Sequence, residues 1–201
     1  RPERVPTPII HFLSGSVIYR EPYGTALIMS PWNYPFYLTV GPLVASMAAG
    51  NCSLIKPSEL SPATSALIEK LIADTFDPSY IAVAQGGVET ATAVLAEKFD
   101  FIFYTGSTAV GRVVMTAAAK HLTPVALELG GKSPTIVEPD ARLDYAARRI
   151  AWGKFFNAGQ TCLAPDYLMV HRSVRDKFTE LLARTIRDFY GDDPRRSPDY
   201  A

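Results

Sequence analysis

The chain has 201 residues, of which 48% are hydrophobic and 20% charged, a composition sufficient for one globular core and part of a second. Twenty basic residues balance twenty acidic ones, so charge gives no indication of nucleic acid or an anionic membrane as a partner. Cys52 and Cys162 are far apart, which is typical of reduced thiols rather than of a disulfide framework. The three histidines lack metal-ligand spacing, and we expect no metal.

The two ends of the sequence indicate a fragment of a longer protein. The chain begins with Arg1 rather than Met, and Ala201 follows no evident closing element. No signal peptide and no apolar run of about eighteen residues is recognisable. We therefore expect a cytoplasmic protein, with any targeting or anchoring signal confined to the missing ends.

Taken in order, the predicted elements alternate between short apolar strands and amphipathic helices. Residues 1–20 are proline-rich and then alternate apolar with polar side chains, which predicts an arm or an edge strand. Strands are then predicted at 25–29, 53–56, 81–84, 101–104, 125–128, 135–137 and 167–170. Helices are predicted at 36–49, 89–97, 108–120 and 144–156, with one starting at Pro62 and one near Asp176. Ser61 is expected to cap the helix that Pro62 opens, and Ser173 with Asp176 to form a capping box.

This alternation predicts an α/β fold with a doubly wound, mostly parallel sheet of the Rossmann-like kind, covered by helices on both faces. In such sheets ligands bind beyond the carboxyl ends of the strands. Asn33, Lys56, Gly86, Gly106 and Glu128 each follow a predicted strand. The sequence therefore predicts that the functional residues gather at one edge of the sheet.

The segment Thr105 to Gly111 has the pattern of an anion site. A strand ends in a glycine and a serine, and the helix that follows offers free amides and the positive end of its dipole. The segment lacks the three glycines of a GxGxxG fingerprint and the Gly-Lys-Ser/Thr of a P-loop. A tight turn without a ligand remains the alternative interpretation.

Lys56 and Glu59 lie just past another strand end. Such a pair can bond the two hydroxyls of an adenosine ribose, although a solvated lysine beside a cap-adjacent glutamate fits the pattern equally well. In the functional interpretation the carboxylate disfavours a 2′-phosphate, which favours NAD over NADP.

Asn33 and Glu128 are candidates for polar groups at defined strand ends. Pro31 and Pro35 stiffen the backbone around Asn33, but an ordinary turn explains this pattern as well. Glu128 ends an apolar strand, and Gly130-Gly131 gives its loop freedom to move. Partial desolvation there would raise the pKa of the carboxyl group towards the range of a general base; the alternative is a glutamate held by backbone amides at a turn.

Cys162 lies in the segment Phe155 to Pro165, where a predicted helix ends in a glycine-containing loop. A buried, inert cysteine is one interpretation. The other is a nucleophile, which needs one group to stabilise the charge that it creates and another to move protons.

Five motifs in this order resemble the aldehyde dehydrogenase superfamily. They are Pro31-Trp32-Asn33-Tyr34-Pro35, Lys56-Pro57-Ser58-Glu59, Tyr104-Thr105-Gly106-Ser107 with Val110-Gly111, Glu128-Leu129-Gly130-Gly131-Lys132-Ser133-Pro134, and Gly159-Gln160-Thr161-Cys162. The variants Ala164-Pro165-Asp166-Tyr167 and Ala118-Ala119-Lys120-His121-Leu122-Thr123-Pro124 are similar to its class 3 type, which includes fatty and aromatic aldehyde dehydrogenases. The resemblance covers nearly everything from Glu21 to Tyr200.

The resemblance implies a role for each matching residue. Cys162 corresponds to the nucleophile, Glu128 to the general base and Asn33 to the oxyanion-hole amide. Cofactor contacts are implied for Lys56 and Glu59, at the adenosine ribose, and for Gly106, Ser107, Val110 and Gly111, at the phosphates and the nicotinamide end.

The resemblance also implies an NAD-dependent enzyme, with NADP possible, that oxidises an apolar aliphatic or aromatic aldehyde to an acid and is a homodimer at full length. The implied domains are an arm at 1–20, an NAD(P)-binding Rossmann-like domain at 21–135, and the start of a truncated α/β catalytic domain at 136–201.

Two alternatives to this enzyme are compatible with the sequence. One is a nucleotide-binding fragment that holds the cofactor but is catalytically silent. The other is a thiol hydrolase without a cofactor; the absence of a histidine in a recognisable base position counts against it.

Overall fold

The computed structural model describes residues 2–200, which form two compact units, one ending at Glu128 and one beginning at Leu129. The strands of the first unit are β1 (Glu3–Val5), β2 (Ser16–Ile18), β3 (Thr25–Met29), β4 (Cys52–Lys56), β5 (Ile81–Val83), β6 (Phe101–Thr105) and β7 (Val125–Glu128). Its α-helices are α1 (Tyr37–Ala48), α2 (Pro62–Thr75), α3 (Val88–Ala96) and α4 (Thr108–Ala119). The second unit contains β8 (Ser133–Val137), α5 (Leu143–Phe155), β9 (Pro165–Val170) and α6 (Arg175–Tyr190).

Five parallel strands form the sheet of the first unit, in the order β5-β4-β3-β6-β7. The chain moves outward from β3 through β4 to β5 and then returns to the other side of β3 with β6. This reversal creates a switch point between β3 and β6, the place where parallel α/β sheets open a crevice for ligands. The prediction of a doubly wound parallel sheet is confirmed.

Helices cover the sheet because its strands carry apolar side chains. β3 is buried from Ala26 to Met29, as expected for a central strand with helices on both faces. On one face, Ile28 and Ile55 pack in a cluster with Leu43 of α1 and Ile68 of α2. Burial of each such side chain contributes about 1.5–3 kcal/mol relative to exposure, so this layer fixes the strand ends that carry the functional residues.

The N-terminal segment forms a separate two-stranded antiparallel sheet of β1 and β2. Between these strands, four apolar residues are largely exposed: Ile9, Ile10, Phe12 and Leu13.

The second unit has its own small core. Strands β8 and β9 pair in parallel, and Val137, Ala147, Ile150 and Phe178 pack together from β8, α5 and α6. The predicted domain boundary at 135/136 falls inside β8, whereas the compact units meet after Glu128.

Two predicted helix caps are wrong. Ser61 precedes Pro62 as expected, but its hydroxyl donates to the Trp32 carbonyl oxygen at 3.1 Å instead of accepting from the helix. At α6 the residue before the helix is Val174, without a side-chain cap. Ser173 bonds to His171 instead, and Asp176 accepts from its neighbour Arg175. Ser173 and Asp176 bond to neighbouring side chains that compete with the helix amides, whereas Ser61 bonds to a residue of a distant segment.

Among residues 2–200, none of the helices combines the length and the apolar composition needed to cross a bilayer.

Candidate active site

A cleft of about 420 Å³ opens in the first unit where β3, β4 and β6 end. Of the residues predicted from sequence, it is lined by Lys56, Glu59, Gly106, Ser107 and Val110. These five come from two separate parts of the chain, and the parallel strand order brings them together. The predicted edge of the sheet is therefore a real concave site.

Lys56 is the buried cation of this cleft, with only 4% of its surface exposed. Its Nζ donates to the Glu59 Oε2 at 2.8 Å and to the Pro57 carbonyl oxygen at 3.0 Å. The hydrogen bond from Lys56 holds the pKa of the Glu59 carboxyl group below its ordinary value. The pair is thus an ion pair whose lysine is buried, while the carboxylate remains accessible to a ligand.

The loop between β6 and α4 brings the N-terminus of a helix to the cleft. Ser107 is the N-cap of α4, and its Oγ accepts from the Val110 amide at 3.3 Å. Gly111 is buried within the helix, and its amide donates to the Ser107 carbonyl oxygen at 2.9 Å. The helix N-terminus therefore faces the cleft with its positive dipole end, an arrangement that suits a phosphate.

Sequence reasoning missed Tyr104, which supports this loop from below. Its ring is buried, burial raises the pKa of its hydroxyl, and that hydroxyl donates to the Ser107 carbonyl oxygen at 3.2 Å. A Cβ on Gly106 would lie 2.2 Å from the Tyr104 hydroxyl oxygen. Gly106 is therefore required for the close approach of the loop to a buried ring.

One wall of the cleft is apolar. Val110 and Val113 of α4 are 44% and 58% exposed, whereas Val114 and Ala118 are buried. Val110 and Val113 line the cleft together with Leu95 of α3. The helical period places these four α4 side chains on one wide apolar stripe, of which one side is buried and the other lines the cleft. Such a wall suits a flat, weakly polar ring.

Asn33 lies on the loop after β3, whose two ends are fixed by hydrogen bonds. The Thr39 hydroxyl donates to the Pro35 carbonyl oxygen at 2.6 Å, so the Ser30 hydroxyl is the donor in its 2.5 Å contact with Thr39. Ser61 holds the Trp32 carbonyl from the other side, at 3.1 Å. Asn33 is half-buried on this fixed loop, while Pro31 and Trp32 next to it line the cleft.

Glu128 ends β7 beside the Gly106 loop. Its carbonyl oxygen accepts from the Gly106 amide at 2.9 Å, which ties the two segments together. The side chain, however, is exposed rather than partly desolvated as expected. β7 forms the edge of the sheet, so its last side chain has no covering layer within this unit.

Cys162 belongs to the second unit, where it is a free and exposed thiol. The segment before it has an irregular backbone, with positive φ at Asn157 (52°), Ala158 (52°) and Gly159 (79°). Residues other than glycine adopt this conformation at a cost of about 1–2 kcal/mol, so the surrounding structure must impose it. Cys162 is therefore not a buried cysteine, contrary to one of the two interpretations of the sequence.

An ion-pair network follows the thiol at the start of β9. The Asp166 carboxylate lies 3.3 Å from the Lys132 Nζ and 3.9 Å from the Lys154 Nζ. It therefore links the segments before β8 and at the end of α5. In the described part of the chain, no three His, Cys, Asp or Glu side chains form a group that could hold a metal ion.

The comparisons with known proteins identify the class. The profile of the Aldehyde dehydrogenase family matches residues 8–200, and the chain belongs to this family. It is 50% identical, over 198 residues, to the 4,4'-diaponeurosporen-aldehyde dehydrogenase of Staphylococcus aureus, with 98% of this chain and 43% of that protein covered. To the dimeric NADP-preferring aldehyde dehydrogenase of Mus musculus it is 54% identical over 183 residues, which cover 91% of this chain and 40% of that protein.

Solved structures give the same assignment. The substrate-bound state of Staphylococcus aureus AldH superimposes with a TM-score of 0.93 and 49% sequence identity, covering 100% of this chain and 44% of that one. The chain thus spans about two fifths of the length of these relatives.

Proposed function

We propose that the protein to which this chain belongs oxidises an aldehyde to a carboxylic acid with NAD(P)⁺, through a thiohemiacetal and a thioester on Cys162. The observation that carries the proposal is that one family match, over residues 8–200, includes both the cleft and the Cys162 loop. A dinucleotide site and an exposed thiol are the two parts that this reaction needs.

The cleft residues suit the parts of a dinucleotide. Lys56 donates and Glu59 accepts, so together they bond the adenosine ribose hydroxyls. Val110 and Val113 form an apolar wall of the cleft, so we assign Val110 to the adenine rather than to the phosphates and the nicotinamide end that the resemblance implies. The first amides of α4, which follow the Gly106–Ser107 turn, suit the phosphates. The Glu59 carboxylate favours NAD, whereas the name of the mouse relative specifies NADP, so we assign NAD with NADP as a second possible cofactor. When bound, this cofactor supplies the hydride acceptor.

Cys162 begins the reaction as a thiolate, which attacks the aldehyde carbon and forms a carbon–sulfur bond. The carbonyl oxygen gains the electron pair and becomes an oxyanion. The Asn33 side-chain amide and the Cys162 backbone amide donate to this oxygen, and one such donor contributes about 3–4 kcal/mol to catalysis. The adduct on Cys162 would give its hydride to a bound nicotinamide, which would restore the carbonyl and leave a thioester on the sulfur.

Glu128 completes the cycle. Its carboxylate takes a proton from water, the hydroxide attacks the thioester carbon, and the carbon–sulfur bond breaks to release the acid and the thiolate. General-base assistance of this kind contributes about a hundred- to ten-thousandfold. An exposed side chain on an edge strand has the freedom to approach water.

Further parts of the proposal concern substrate, domains and assembly. Trp32 and Phe36 flank Asn33 with exposed aromatic rings, which favours an apolar aldehyde. We assign residues 21–128 to the cofactor domain and residues 129–201 to the start of the catalytic domain, which moves the boundary predicted after residue 135 to the division between the two units. We also propose that the full-length protein is a homodimer, which sedimentation tests. We place it in the cytoplasm, because two free thiols suit a reducing compartment.

The test is a nicotinamide reduction assay on the full-length protein with a panel of aldehydes and both cofactors. We expect Cys162→Ala to abolish turnover and Cys52→Ala to retain it. Turnover at the wild-type rate in Cys162→Ala would refute the proposal.

A second candidate function is a catalytically silent fragment that only binds nucleotide. It is favoured by the location of the whole described cleft in the first unit. Calorimetric NAD binding by the 201-residue chain, without aldehyde turnover, would support this candidate for the fragment.

A further inference from the structure

The two adjacent glycines before β8 have different surroundings. A Cβ on Gly131 would lie 2.6 Å from the Cys162 carbonyl oxygen and 3.8 Å from the Cys162 carbonyl carbon. A Cβ on Gly130 would meet no heavy atom of the described residues within 4 Å, its chain neighbours aside. Both glycines are exposed. Of the two glycines, only Gly131 lies where a side chain would clash with another segment of the chain.

The pairing of β8 with β9 explains the close approach. Ser133 pairs with Pro165 in parallel register, so the segments that precede the two strands also run side by side. Continued backwards by two residues, this register places Gly131 opposite Leu163, next to the peptide bond that carries the Cys162 carbonyl. The contact is thus a consequence of sheet pairing within the second unit.

The group that would be displaced is backbone. Real Cβ atoms essentially never come within 3.0 Å of another heavy atom, and a carbonyl group cannot rotate away as a long side chain does. The turn at Cys162 is closed by a hydrogen bond from the Ala164 amide to the Thr161 carbonyl oxygen at 3.1 Å. A side chain at 131 therefore forces the peptide after Cys162, and the turn with it, to shift.

We propose that Gly131 is a positioning residue for the Cys162 nucleophile. Its bare Cα lets the segment after Glu128 lie against the Cys162 peptide and fixes the direction of the thiol and of the Cys162 amide. This inference depends on the role of Cys162 under the proposed function. It replaces the expectation that Gly130-Gly131 serves only to make the Glu128 loop mobile, because one of the two glycines has a steric requirement of its own.

The experiment compares Gly131→Ala with Gly130→Ala in the full-length enzyme. A misplacement of about 1 Å costs about a hundredfold in rate, so we expect kcat to fall about a hundredfold in Gly131→Ala. The Kd for NAD should stay unchanged, because the cofactor cleft belongs to the first unit. Gly130→Ala should keep the wild-type kcat. Equal kcat values for Gly131→Ala and the wild type would overturn the inference, as would equal losses in both variants.

A second measurement leaves both glycines unchanged, so it does not depend on whether a glycine variant folds. Alkylation of Cys162 with iodoacetamide, in a Cys52→Ala chain labelled with ¹⁵N-glycine, should shift the Gly131 amide signal more than the Gly130 signal. Equal shifts would overturn the inference. The proposed function fails if Cys162→Ala turns over aldehyde at the wild-type rate. The glycine signals are a separate measurement, because they report only on the contact between Gly131 and Cys162.

Discussion

The two units of the chain obtain their functional groups in different ways. In the first unit these groups come from the ends of regular elements: Lys56 is the last residue of β4, and Ser107 is the N-cap of α4. In the second unit Cys162 follows three residues of irregular backbone with positive φ. The candidate binding cleft is thus formed by strand and helix ends, whereas the proposed nucleophile follows a loop whose backbone conformation carries a free-energy cost.

The two units should therefore respond differently to mutation. The polar groups of the first unit are held in position by burial and by ion pairing, so their removal should lower the affinity for the cofactor. The position of the thiol in the second unit depends on the backbone conformation of the loop before it. Changes in that loop should therefore alter the free energy of unfolding and the catalytic rate.

Substitution Lys56→Met should weaken NAD binding about 10- to 100-fold, which corresponds to about 1.4–2.8 kcal/mol. The variant removes a buried charged donor and releases Glu59 from its 2.8 Å hydrogen bond. Hydrogen bonds to charged groups contribute about 1.5–3 kcal/mol, which agrees with this range. Isothermal titration calorimetry on the 201-residue chain provides the measurement.

The matched control is Lys70→Met, on the exposed face of α2. Lys70 also forms an ion pair, with Asp74, but both side chains are largely exposed, and such pairs contribute little. NAD affinity should not change in this variant. Identical affinities for Lys56→Met and Lys70→Met would show that the cleft does not hold the cofactor through its buried cation.

Substitution Ala158→Gly should stabilise the second unit by about 0.5–1 kcal/mol. Glycine removes the left-handed penalty of about 1–2 kcal/mol at this position, and its greater freedom in the unfolded chain offsets about half of the gain. Ala146→Gly, within α5 of the same unit, should have the opposite sign and destabilise by about 1 kcal/mol. Thermal unfolding measures both, and a loss of stability in both variants would show that Ala158 is not strained.

The ion pair of the first unit predicts a small pH effect. The folded-state pKa of Glu59 is lowered by its hydrogen bond from Lys56, so the pair contributes to stability above the ordinary glutamate value, about 4.3. This contribution is lost as the pH falls through the lowered folded-state pKa. Because the Glu59 side chain is 44% exposed, solvent screening limits the contribution to about 0.5 kcal/mol.

Urea midpoints of the wild type and Glu59→Gln give the measurement. The wild type should be slightly more stable at neutral pH, and the difference should vanish in strong acid. A difference that grows as the pH falls would contradict the assigned direction of the pKa shift.

Regular structure was predictable from the sequence, and irregular structure was not. The strands at 25–29 and 125–128 have the predicted bounds, because apolar runs between glycine and proline permit few alternatives. The strand order brought Lys56 and Gly106 to one cleft, as expected from parallel sheets. Family motifs supplied the candidate catalytic roles, which patterns of single residues left open.

Some of the misses depend on a contact between distant parts of the chain. Ser61 donates to Trp32 rather than capping its own helix. The close approach of Gly131 to Cys162 arises from strand pairing. Local sequence patterns cannot predict these contacts, because the partner residue lies outside the short stretch of sequence over which helix and strand propensities are assessed.

The most direct test of the central claim is to trap the acyl intermediate on sulfur. Full-length protein carrying Glu128→Gln is incubated with aldehyde and NAD⁺, and its peptides are analysed by mass spectrometry. We predict an acyl group on Cys162, none on Cys52, and about one reduced nicotinamide for each acylated subunit, because hydride loss precedes the blocked hydrolysis. Aldehyde oxidation at the wild-type rate with an unmodified Cys162 would contradict the account.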